Sequence, residues 1–369
     1  MVTKQTIKNI FSKILNTYKK NSTIKSEKRN IKALNNLYDD INLTPDQVDE
    51  IQSIWKKNYG KEIDLRWNKL YMSYTGKYDK YYYPEIFFTS NLINKLNPLL
   101  YKSYYADKVL TYSLFGECQD IKLIDYYGYN CNGFFYSKNG IVDKDSFIKI
   151  LYNIGEVVVK PTLFSSSGRD VRLLSIKDGI DIKSGEKFET IINKYDKNYI
   201  IQKKLEQSKI LSDINSSSVN TLRFNSYICD GKVYLSPTAL RIGRNGNFRD
   251  NLHAGGIMVG VNEDGTLMKY AFYHEDGKKY ERHPDTGFVF EGYKIPKYKE
   301  ISEFVKNNHY RVPHIGIIAW DITLDKDENI VLIETNITTP SIWLNQIACG
   351  KAFFGENTEK MIRKLRENN

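Results

Sequence analysis

The sequence predicts an α+β fold with a helical N-terminal region, and three features support this prediction. Helical patterns recur within residues 1–103, strand-like runs follow one another closely over 156–273, and two more apolar runs near the C-terminal end flank a polar turn. Closely spaced strands with few crossover helices indicate a mainly antiparallel sheet. A chain of 369 residues is long enough for two or three domains with a sizeable core.

The N-terminal region is predicted to be helical and rich in tyrosine. Its first segment is rich in Lys and Asn, and weak helical spacing over 7–15 places an apolar stripe on one face. Such a helix either packs on its own domain or contacts an anionic membrane surface or a partner enzyme. Thr44, Pro45 and Gln47 form a predicted helix start, with Thr44 as the cap and Gln47 completing a capping box. The aromatic stretch 67–105 predicts a small domain with structural tyrosines and a helix at 91–96.

Strands are predicted from apolar runs bounded by turn residues. The first is 121–127, followed by a Gly/Asn turn at 128–133, and a short helix is predicted at 145–152. The later strands are 156–161, 171–176, 199–202, 221–229, 232–240, 256–261 and 267–273. A final helix is predicted at 357–367.

Composition excludes several classes of protein. No run approaches the roughly 18 apolar residues of a membrane helix. The four cysteines are far apart without a CxxC pair, which argues against a zinc site or a disulfide framework and predicts a cytoplasmic protein. The net charge is +10, but lysines alternate with acids and no nucleic-acid motif is present. We therefore expect an anionic substrate or membrane surface as the partner, and not a nucleic acid.

A hairpin near the C-terminal end carries the first candidate site. Its predicted strands are 315–324 and 330–333, and Asp321 lies on the first. Glu334 and Asn336 are two residues apart, so a strand points both to one face. Pairing the strands could bring together two acids and an amide, the hard oxygen ligands that suit Mg²⁺ or Mn²⁺, and Mg²⁺ usually needs substrate phosphates to complete its shell. The pattern therefore points to a nucleotide, although a hairpin end with solvated acids has the same composition.

A second candidate site lies at the end of the strand 156–161. Lys160 leaves this strand just before the small-residue loop Ser165, Ser166, Ser167 and Gly168. The lysine can pair with phosphate oxygens, while the backbone N–H groups of the loop form an anion-binding concavity. The lysine precedes the loop, so this is not a Walker motif. An exposed turn after an edge strand explains the same residues equally well.

The order of these elements resembles the ATP-grasp superfamily: a lysine strand with a small-residue loop, an apolar strand 199–202 running into a polar hinge, then the D…E-x-N hairpin. Four motifs are similar to the sugar-transfer-associated ATP-grasp family, which is linked with capsule and exopolysaccharide synthesis. They are Ser218–Arg223, Leu240–Gly243, Asp250–Gly256 and His283–Gly287. The resemblance covers residues 107–349.

The resemblance implies two α+β subdomains that clasp ATP, at 104–205 and 206–369, after a helical N-terminal region at 1–103. It implies that Lys160 binds ATP phosphates and that Ser165, Ser166, Ser167 and Gly168 form a lid. The implied adenine hinge is Gln202, Lys203 and Leu205, and the implied Mg²⁺ ligands, for one or two ions, are Asp321, Glu334 and Asn336. Members of the superfamily often have a second ATP-binding lysine nearer the N-terminus, and Lys108 resembles it, although its spacing in the sequence is inexact. Glu206 and Asp213 both remain candidates for the ribose.

The remaining candidates are basic or polar residues within the four motifs. Arg223 and Arg241 lie on predicted strands, where they could clamp phosphate or the acceptor carboxylate or form structural ion pairs. Asn251 and His253 lie in a Gly-bounded turn, where they could bind substrate or orient a metal ligand, and His253 could act as a general base. A loop histidine held by backbone groups is the alternative. The same pair of interpretations applies to His283 and Asp285, whereas His314 is expected to be structural.

The family resemblance implies an enzyme that forms a carbon–nitrogen bond. The predicted reaction uses ATP and Mg²⁺ to activate a carboxylate as an acyl phosphate, which an amine attacks, giving an amide on a uronic acid or sugar-linked precursor. One alternative is a kinase of a sugar or glycan hydroxyl, and another is a non-catalytic nucleotide-binding subunit that works with polysaccharide-synthesis enzymes. The carboxylate, the amine and the oligomeric state stay open at this point.

Overall fold

Two largely antiparallel sheets organise the described part of the chain, which comprises residues 4–163, 170–338 and 340–367, with side chains from residue 17 onward. In this computed structural model the α-helices are α1 (Lys4–Ala33), α2 (Asn35–Tyr38), α3 (Pro45–Tyr59), α4 (Arg66–Thr75), α5 (Glu85–Phe87), α6 (Ile93–Leu96), α7 (Leu99–Tyr104), α8 (Leu110–Phe115), α9 (Lys144–Ile150), α10 (Phe188–Asn193), α11 (Lys209–Ser212), α12 (Tyr298–Asn308), α13 (Trp343–Cys349) and α14 (Thr358–Lys364). No helix in these ranges combines the length and the apolar character needed to cross a bilayer.

The strands of the described ranges are β1 (Lys122–Leu123), β2 (Tyr126–Cys131), β3 (Phe134–Ser137), β4 (Gly140–Val142), β5 (Gly155–Pro161), β6 (Arg172–Lys177), β7 (Ile180–Asp181), β8 (Tyr199–Lys203), β9 (Thr221–Cys229), β10 (Lys232–Leu235), β11 (Thr238–Ile242), β12 (Ile257–Val261), β13 (Leu267–Phe272), β14 (Lys279–Tyr280), β15 (Ile317–Leu324) and β16 (Ile330–Asn336). The larger sheet has the order β1-β16-β15-β9-β11-β12-β13-β14, with β10 on β9, and the smaller has the order β4-β3-β2-β8-β5-β6-β7. Among these strands, pairing is antiparallel except between β1 and β16.

The core of the larger sheet lies at β9 and β15. Every residue of β15 is buried, and its Trp320 packs against Phe115 and Phe304. Burial on both faces explains why this strand is a continuous apolar run interrupted by few polar residues. Strand β9 has the predicted bounds, and β16 extends beyond the predicted end at Ile333 to include Glu334 and Asn336.

Three local predictions differ from the structure. The predicted strand 232–240 divides into β10 and β11, because Pro237 between them has no N–H for the ladder. The hairpin strand begins at Ile317 rather than Ile315, because the N–H of Gly316 bonds to the N-terminal region at the Leu96 carbonyl, 2.8 Å away. Gly128 lies within β2 and not in a turn: a Cβ there would lie 2.6 Å from the Tyr136 carbonyl oxygen.

The N-terminal region packs on the larger sheet through its aromatic residues. The capping box forms as predicted: the Thr44 hydroxyl accepts from the N–H of Gln47 at 3.3 Å, and the Gln47 side chain accepts from the N–H of Thr44 at 3.0 Å. Tyr71 and Tyr83 are fully buried, as expected of structural tyrosines. The helix predicted at 91–96 forms as a π-turn over Phe88–Leu92 followed by α6.

Glu85 ties this region to the helix α13. The Oε2 atom of Glu85 accepts from the N–H groups of Ile342 and Trp343 at 3.1 and 3.0 Å, which satisfies the start of α13. Burial, and then the nearby Glu27 carboxylate, raise the pKa of Glu85 to about 8, although the two N–H groups oppose this. The folded protein therefore holds a proton that the unfolded chain releases near pH 4.5.

We expect Glu85→Gln to become more stable relative to the wild type as the pH rises from about 5 to about 8. A raised carboxyl pKa contributes stability that is complete below the unfolded pKa and is lost as the pH rises through the folded value. The glutamine oxygen can keep both N–H bonds without this titration. The difference in unfolding free energy should change by up to about 1.4 kcal/mol per pH unit.

Urea unfolding of both proteins across this pH range measures the difference. Exposed Glu300 on α12 supplies the control Glu300→Gln, which replaces a glutamate without removing a buried carboxyl. A Glu85→Gln difference that stays flat across the range would contradict the assigned shift.

Candidate active site

A cavity of ≈ 770 Å³ lies where the two sheets face each other. The smaller sheet contributes Lys160 from β5 and Gln202 from β8 to its wall, and the larger sheet contributes Asp321 from β15 and Glu334 from β16. Residues more than a hundred positions apart in the sequence therefore meet in one space. Most of the residues predicted from the sequence lie here: Lys108, Lys160, Gln202, Lys203, Leu205, Arg223, Arg241, Asn251, His253, Asp321, Glu334 and Asn336.

The two acids and the amide of the hairpin are brought together. Asp321 pairs in register with Glu334, and the Nδ2 atom of Asn336 donates to Asp321 Oδ2 at 3.0 Å and to Glu334 Oε1 at 3.3 Å. The register shifts between Asp321 and Ile322, so that Ile333 has no partner across the ladder. This bulge explains how the adjacent residues Ile333 and Glu334 both line the cavity, which plain alternation would not allow.

Two arginines from neighbouring strands surround Asp321. Arg223 donates from Nε to Asp321 Oδ1 at 2.6 Å and from Nη2 to Oδ2 at 3.2 Å, and Arg241 Nη2 lies 3.1 Å from Asp321 Oδ2. Burial alone would raise the pKa of Asp321, but the two guanidinium groups outweigh it and hold the pKa below its ordinary value. The sequence left open whether these arginines form structural ion pairs or bind a ligand. Both form ion pairs in the structure, and both also line the cavity.

Asp250 completes this network, and sequence reasoning missed it. Arg241 Nε lies 3.2 Å from Asp250 Oδ2 and 3.0 Å from the Thr221 hydroxyl, which itself donates to Asp250. Burial raises the pKa of Asp250 although Arg241 opposes it. The sequence did contain a signal for Asp250, because this acid begins the motif Asp250–Gly256, from which Asn251 and His253 were chosen as candidates. The two arginines are held in place by two acids, and any guanidinium N–H groups that these acids leave unused can bind an anion in the cavity.

The donor set of the hairpin fits a divalent cation of the Mg²⁺ class. Asp321 and Glu334 offer carboxylate oxygens, and Asn336 offers an amide whose oxygen and nitrogen exchange places when the group turns over. Hard oxygen ligands of this number leave room for phosphate oxygens in the shell of the ion. The chemistry of the residues is therefore compatible with a metal-bound nucleotide.

Lys160 faces these acids from the smaller sheet, and Lys108 lines the same cavity. Lys160 is buried at 7% exposure. Burial lowers the pKa of its ammonium, with Lys108 in the same direction, whereas Glu334 and Asp321 oppose the shift. The N–H of Lys108 donates to the Thr162 carbonyl at 3.1 Å, which places this segment beside the end of β5. The predicted lid residues Ser165, Ser166, Ser167 and Gly168 lie outside the described residues.

The predicted hinge borders an apolar part of the cavity. Ile124, Val158, Leu173 and Ile333 line it, together with Leu205. At its edge, Gln202 Nε2 donates to the Tyr112 hydroxyl at 2.6 Å, and Lys203 Nζ lies 2.7 Å from Asp125 Oδ2. Apolar walls with few polar groups suit a planar ring.

The two candidate ribose acids are separated by the structure. Glu206 lines the cavity and its carboxylate lies 3.3 Å from Lys326 Nζ. Asp213 is not among the lining residues and pairs with Lys209 at 2.7 Å on α11. Of the two acids, Glu206 is therefore the better-placed candidate for contact with the ribose.

The opposite end of the cavity contains Asn251 and His253. Asn251 Oδ1 accepts from the N–H of His253 at 2.9 Å and so caps the short 3₁₀ turn Leu252–Ala254. The His253 ring is exposed and lies edge-on to the ring of His274, with 5.1 Å between centroids. Sequence reasoning also missed Leu344 and Asn345, which line this region from α13 after the hairpin.

His283 and Asp285, predicted to bind substrate, do not line the cavity in the structure. His283 is buried, and its Nε2 lies 2.8 Å from the Gly243 carbonyl oxygen. Asp285 accepts from the N–H of Asn245 at 2.5 Å. Both residues therefore stabilise the turn after β11. This is the structural role that the sequence offered as the alternative to substrate binding. His314 stacks on Tyr101 at 4.1 Å, also away from the cavity.

Comparison with known proteins adds to this geometry. A family model described as sugar-transfer associated ATP-grasp matches residues 88–361, which is well over half of the chain. No curated protein matches the sequence.

Several solved structures are similar at low identity. One is the VanG D-Ala:D-Ser ligase of Enterococcus faecalis, with 13% identity, a TM-score of 0.40, and coverage of 72% of this chain and 62% of that chain. Another is D-alanyl-alanine synthetase A of Vibrio cholerae, with 14% identity, a TM-score of 0.40, and coverage of 72% and 65%. A third is N5-carboxyaminoimidazole synthetase of Staphylococcus aureus complexed with ADP, with 11% identity, a TM-score of 0.37, and coverage of 64% and 46%. The chain thus spans about half to two thirds of the length of these proteins.

Proposed function

Because the chain belongs to the sugar-transfer associated ATP-grasp family and has the predicted α+β ATP-grasp fold, we propose that it is an ATP- and Mg²⁺-dependent ligase. In the proposed reaction a carboxylate is activated as an acyl phosphate and an amine then displaces the phosphate, which leaves an amide. The proposed carboxylate belongs to a uronic acid or a sugar-linked precursor in capsule or exopolysaccharide synthesis. The family supports the link to sugar transfer, and the reaction itself is our proposal.

One observation carries this proposal: the acid–acid–amide set of the hairpin, two lysines and two arginines share one cavity. Asp321, Glu334 and Asn336 would hold the metal ion, which when bound neutralises charge on the phosphates. Lys160 from the opposite sheet and Lys108 from the segment beside the end of β5 would bind phosphate oxygens. Phosphoryl transfer depends on such positive groups around the moving charge, because little covalent chemistry is required of the protein.

The rest of the cavity divides by polarity in a way that supports one orientation of the nucleotide. We place the adenine among the apolar residues near Leu205 and Gln202, with the phosphates toward Lys160. The acceptor carboxylate would then lie toward Arg241 and Asn251. A guanidinium already fixed by Asp250 and Thr221 loses little freedom when it binds a second anion.

A turnover assay with product identification tests the reaction. The full chain is incubated with ATP, Mg²⁺, mixed amino acids and uronic-acid sugars, and nucleotide and products are identified by mass spectrometry. ADP, phosphate and a condensed amide support the ligase. ADP with a phosphorylated sugar would instead establish the kinase, and nucleotide binding without turnover would establish a non-catalytic subunit.

The ribose acid provides a separate prediction. Glu206→Ala should weaken ATP binding by about 5- to 10-fold, because an exposed carboxylate that accepts ribose hydroxyls contributes about 1 kcal/mol. The same substitution should leave binding of 2′,3′-dideoxy-ATP unchanged, since that nucleotide lacks both hydroxyls. Calorimetric titration of both nucleotides measures this.

Asp213→Ala is the matched control for the ribose prediction, because Asp213 is the other candidate acid and lies outside the cavity lining. It should retain the wild-type preference for ATP over the dideoxy nucleotide. Loss of that preference in Asp213→Ala, with Glu206→Ala unaffected, would reverse the assignment.

A further inference from the structure

Three potential metal-ligating side chains meet beside the cavity, and the proposed ligase reaction does not use them as a set. His253 lies on the 3₁₀ turn that lines the cavity, and His274 and Glu275 follow β13 after one intervening residue, Tyr273. One ring nitrogen of each histidine and one carboxylate oxygen of Glu275 all lie within 4.8 Å of one another. This group contains no member of the hairpin set, so it is a separate place on the protein.

His274 is the buried member and lacks the partners that a buried imidazole requires. It is 5% exposed, and no group of the described residues hydrogen-bonds its Nδ1 atom. Its Nε2 atom lies 3.9 Å from Glu275 Oε1, which is too long for a hydrogen bond. Burial, and then the neighbouring His253, lower the pKa of His274 to about 4, so the ring is neutral at neutral pH. A neutral imidazole is the form that binds metal ions.

The surroundings hold the cluster in place from both sides. The Tyr74 hydroxyl from the N-terminal region donates to the His274 carbonyl at 2.7 Å, and the Trp343 ring lies 5.9 Å from the His274 ring. On the other side, the cap from Asn251 fixes the turn that carries His253. His253 and Glu275 are exposed, so their side chains are free to rotate toward a shared ion. Each donor atom would then lie about 2.1 Å from the ion.

We propose that His253, His274 and Glu275 bind one transition-metal dication of the Zn²⁺ class at the edge of the cavity. Two imidazoles and one carboxylate are a ligand set that Zn²⁺ uses with a fourth position left open, and imidazole favours Zn²⁺ over Mg²⁺. Water, or an oxygen of a molecule bound at the acceptor end, would occupy that position. A coordinated nitrogen cannot accept a proton, so this site excludes the general-base role predicted for His253.

Metal titration of the full chain tests the site without reference to activity. The protein is freed of metal with a chelator and titrated with Co²⁺ in excess Mg²⁺, which saturates hard oxygen sites. We expect one Co²⁺ per chain with the visible absorption of a tetrahedral ion, and displacement by Zn²⁺. Absence of a stoichiometric Co²⁺ complex would overturn the proposal.

Variants of the two exposed ligands assign the ion to this cluster. His253→Ala and Glu275→Gln should each weaken Co²⁺ binding by at least about 10-fold, because loss of a ligand costs no less than loss of a supporting group. His314→Ala and Glu263→Gln, which change exposed residues elsewhere, serve as controls and should leave it unchanged. Binding that is unaffected in both ligand variants would place the ion elsewhere and refute the site.

Discussion

Glu334→Gln should lower ATP turnover by at least about 10²- to 10³-fold while the protein stays folded. The amide keeps the shape of the side chain and can still accept from Asn336, which donates to Glu334 at 3.3 Å in the structure. What the variant loses is one of the two negative charges proposed to hold the metal ion and its phosphates. Release of ADP under saturating ATP and Mg²⁺ measures the effect.

The control for this variant lies on the same hairpin. Glu328→Gln makes the same chemical change at an exposed position in the turn between β15 and β16, and it should retain wild-type turnover. Thermal unfolding of both variants by circular dichroism checks that the fold is intact. Turnover of Glu334→Gln within a few-fold of the wild type would remove this carboxylate from the proposed site.

Lys160→Met should weaken binding of MgATP by about 10- to 100-fold, the effect of losing a hydrogen bond to a charged group worth about 1.5–3 kcal/mol. Methionine preserves most of the apolar stem in a position that is only 7% exposed, so packing is largely kept. Isothermal titration of MgATP and of adenosine separates the phosphate contribution from that of the base. Adenosine affinity should not change.

Lys177→Met is the control for the phosphate lysine, since Lys177 is exposed at the end of the neighbouring strand β6. Its nucleotide affinity should equal that of the wild type. Equal losses of ATP and adenosine affinity in Lys160→Met would mean that the substitution disturbs the cavity as a whole, and unchanged ATP affinity would end the proposed phosphate role.

Local patterns predicted much of the fold. The capping box at Thr44, the bounds of β9 and the α+β class follow from spacing, turn residues and capping chemistry, which act over a few neighbouring residues. Predictions went wrong where a distant contact decided the outcome. Gly128 looked like a turn residue, yet it lies in a strand because the Tyr136 backbone and Phe147 ring approach it closely.

The candidate site divides in the same way. Spacing alone put Glu334 and Asn336 on one face, but the bulge at Ile333 that turns both it and Glu334 toward the cavity depends on the partner strand β15. His283 and Asp285 were chosen from one family motif and His253 from another, on the same grounds. Only the tertiary structure shows that His253 lines the cavity and that His283 and Asp285 do not. The cluster of His253 with His274 had no sequence signal, because β12 and β13 lie between the two residues.

The sequence by itself determined the class of the fold, the order of its strands along the chain and the chemical character of each candidate segment, because these depend on periodicity and residue type. The tertiary structure alone decided which charges meet. Lys160 faces Glu334, and Asp321 is shared between Arg223 and Arg241, because two sheets bring together strands that are far apart in the chain. Electrostatic interactions act over a few ångströms, so their partners are set by strand order and register rather than by sequence distance.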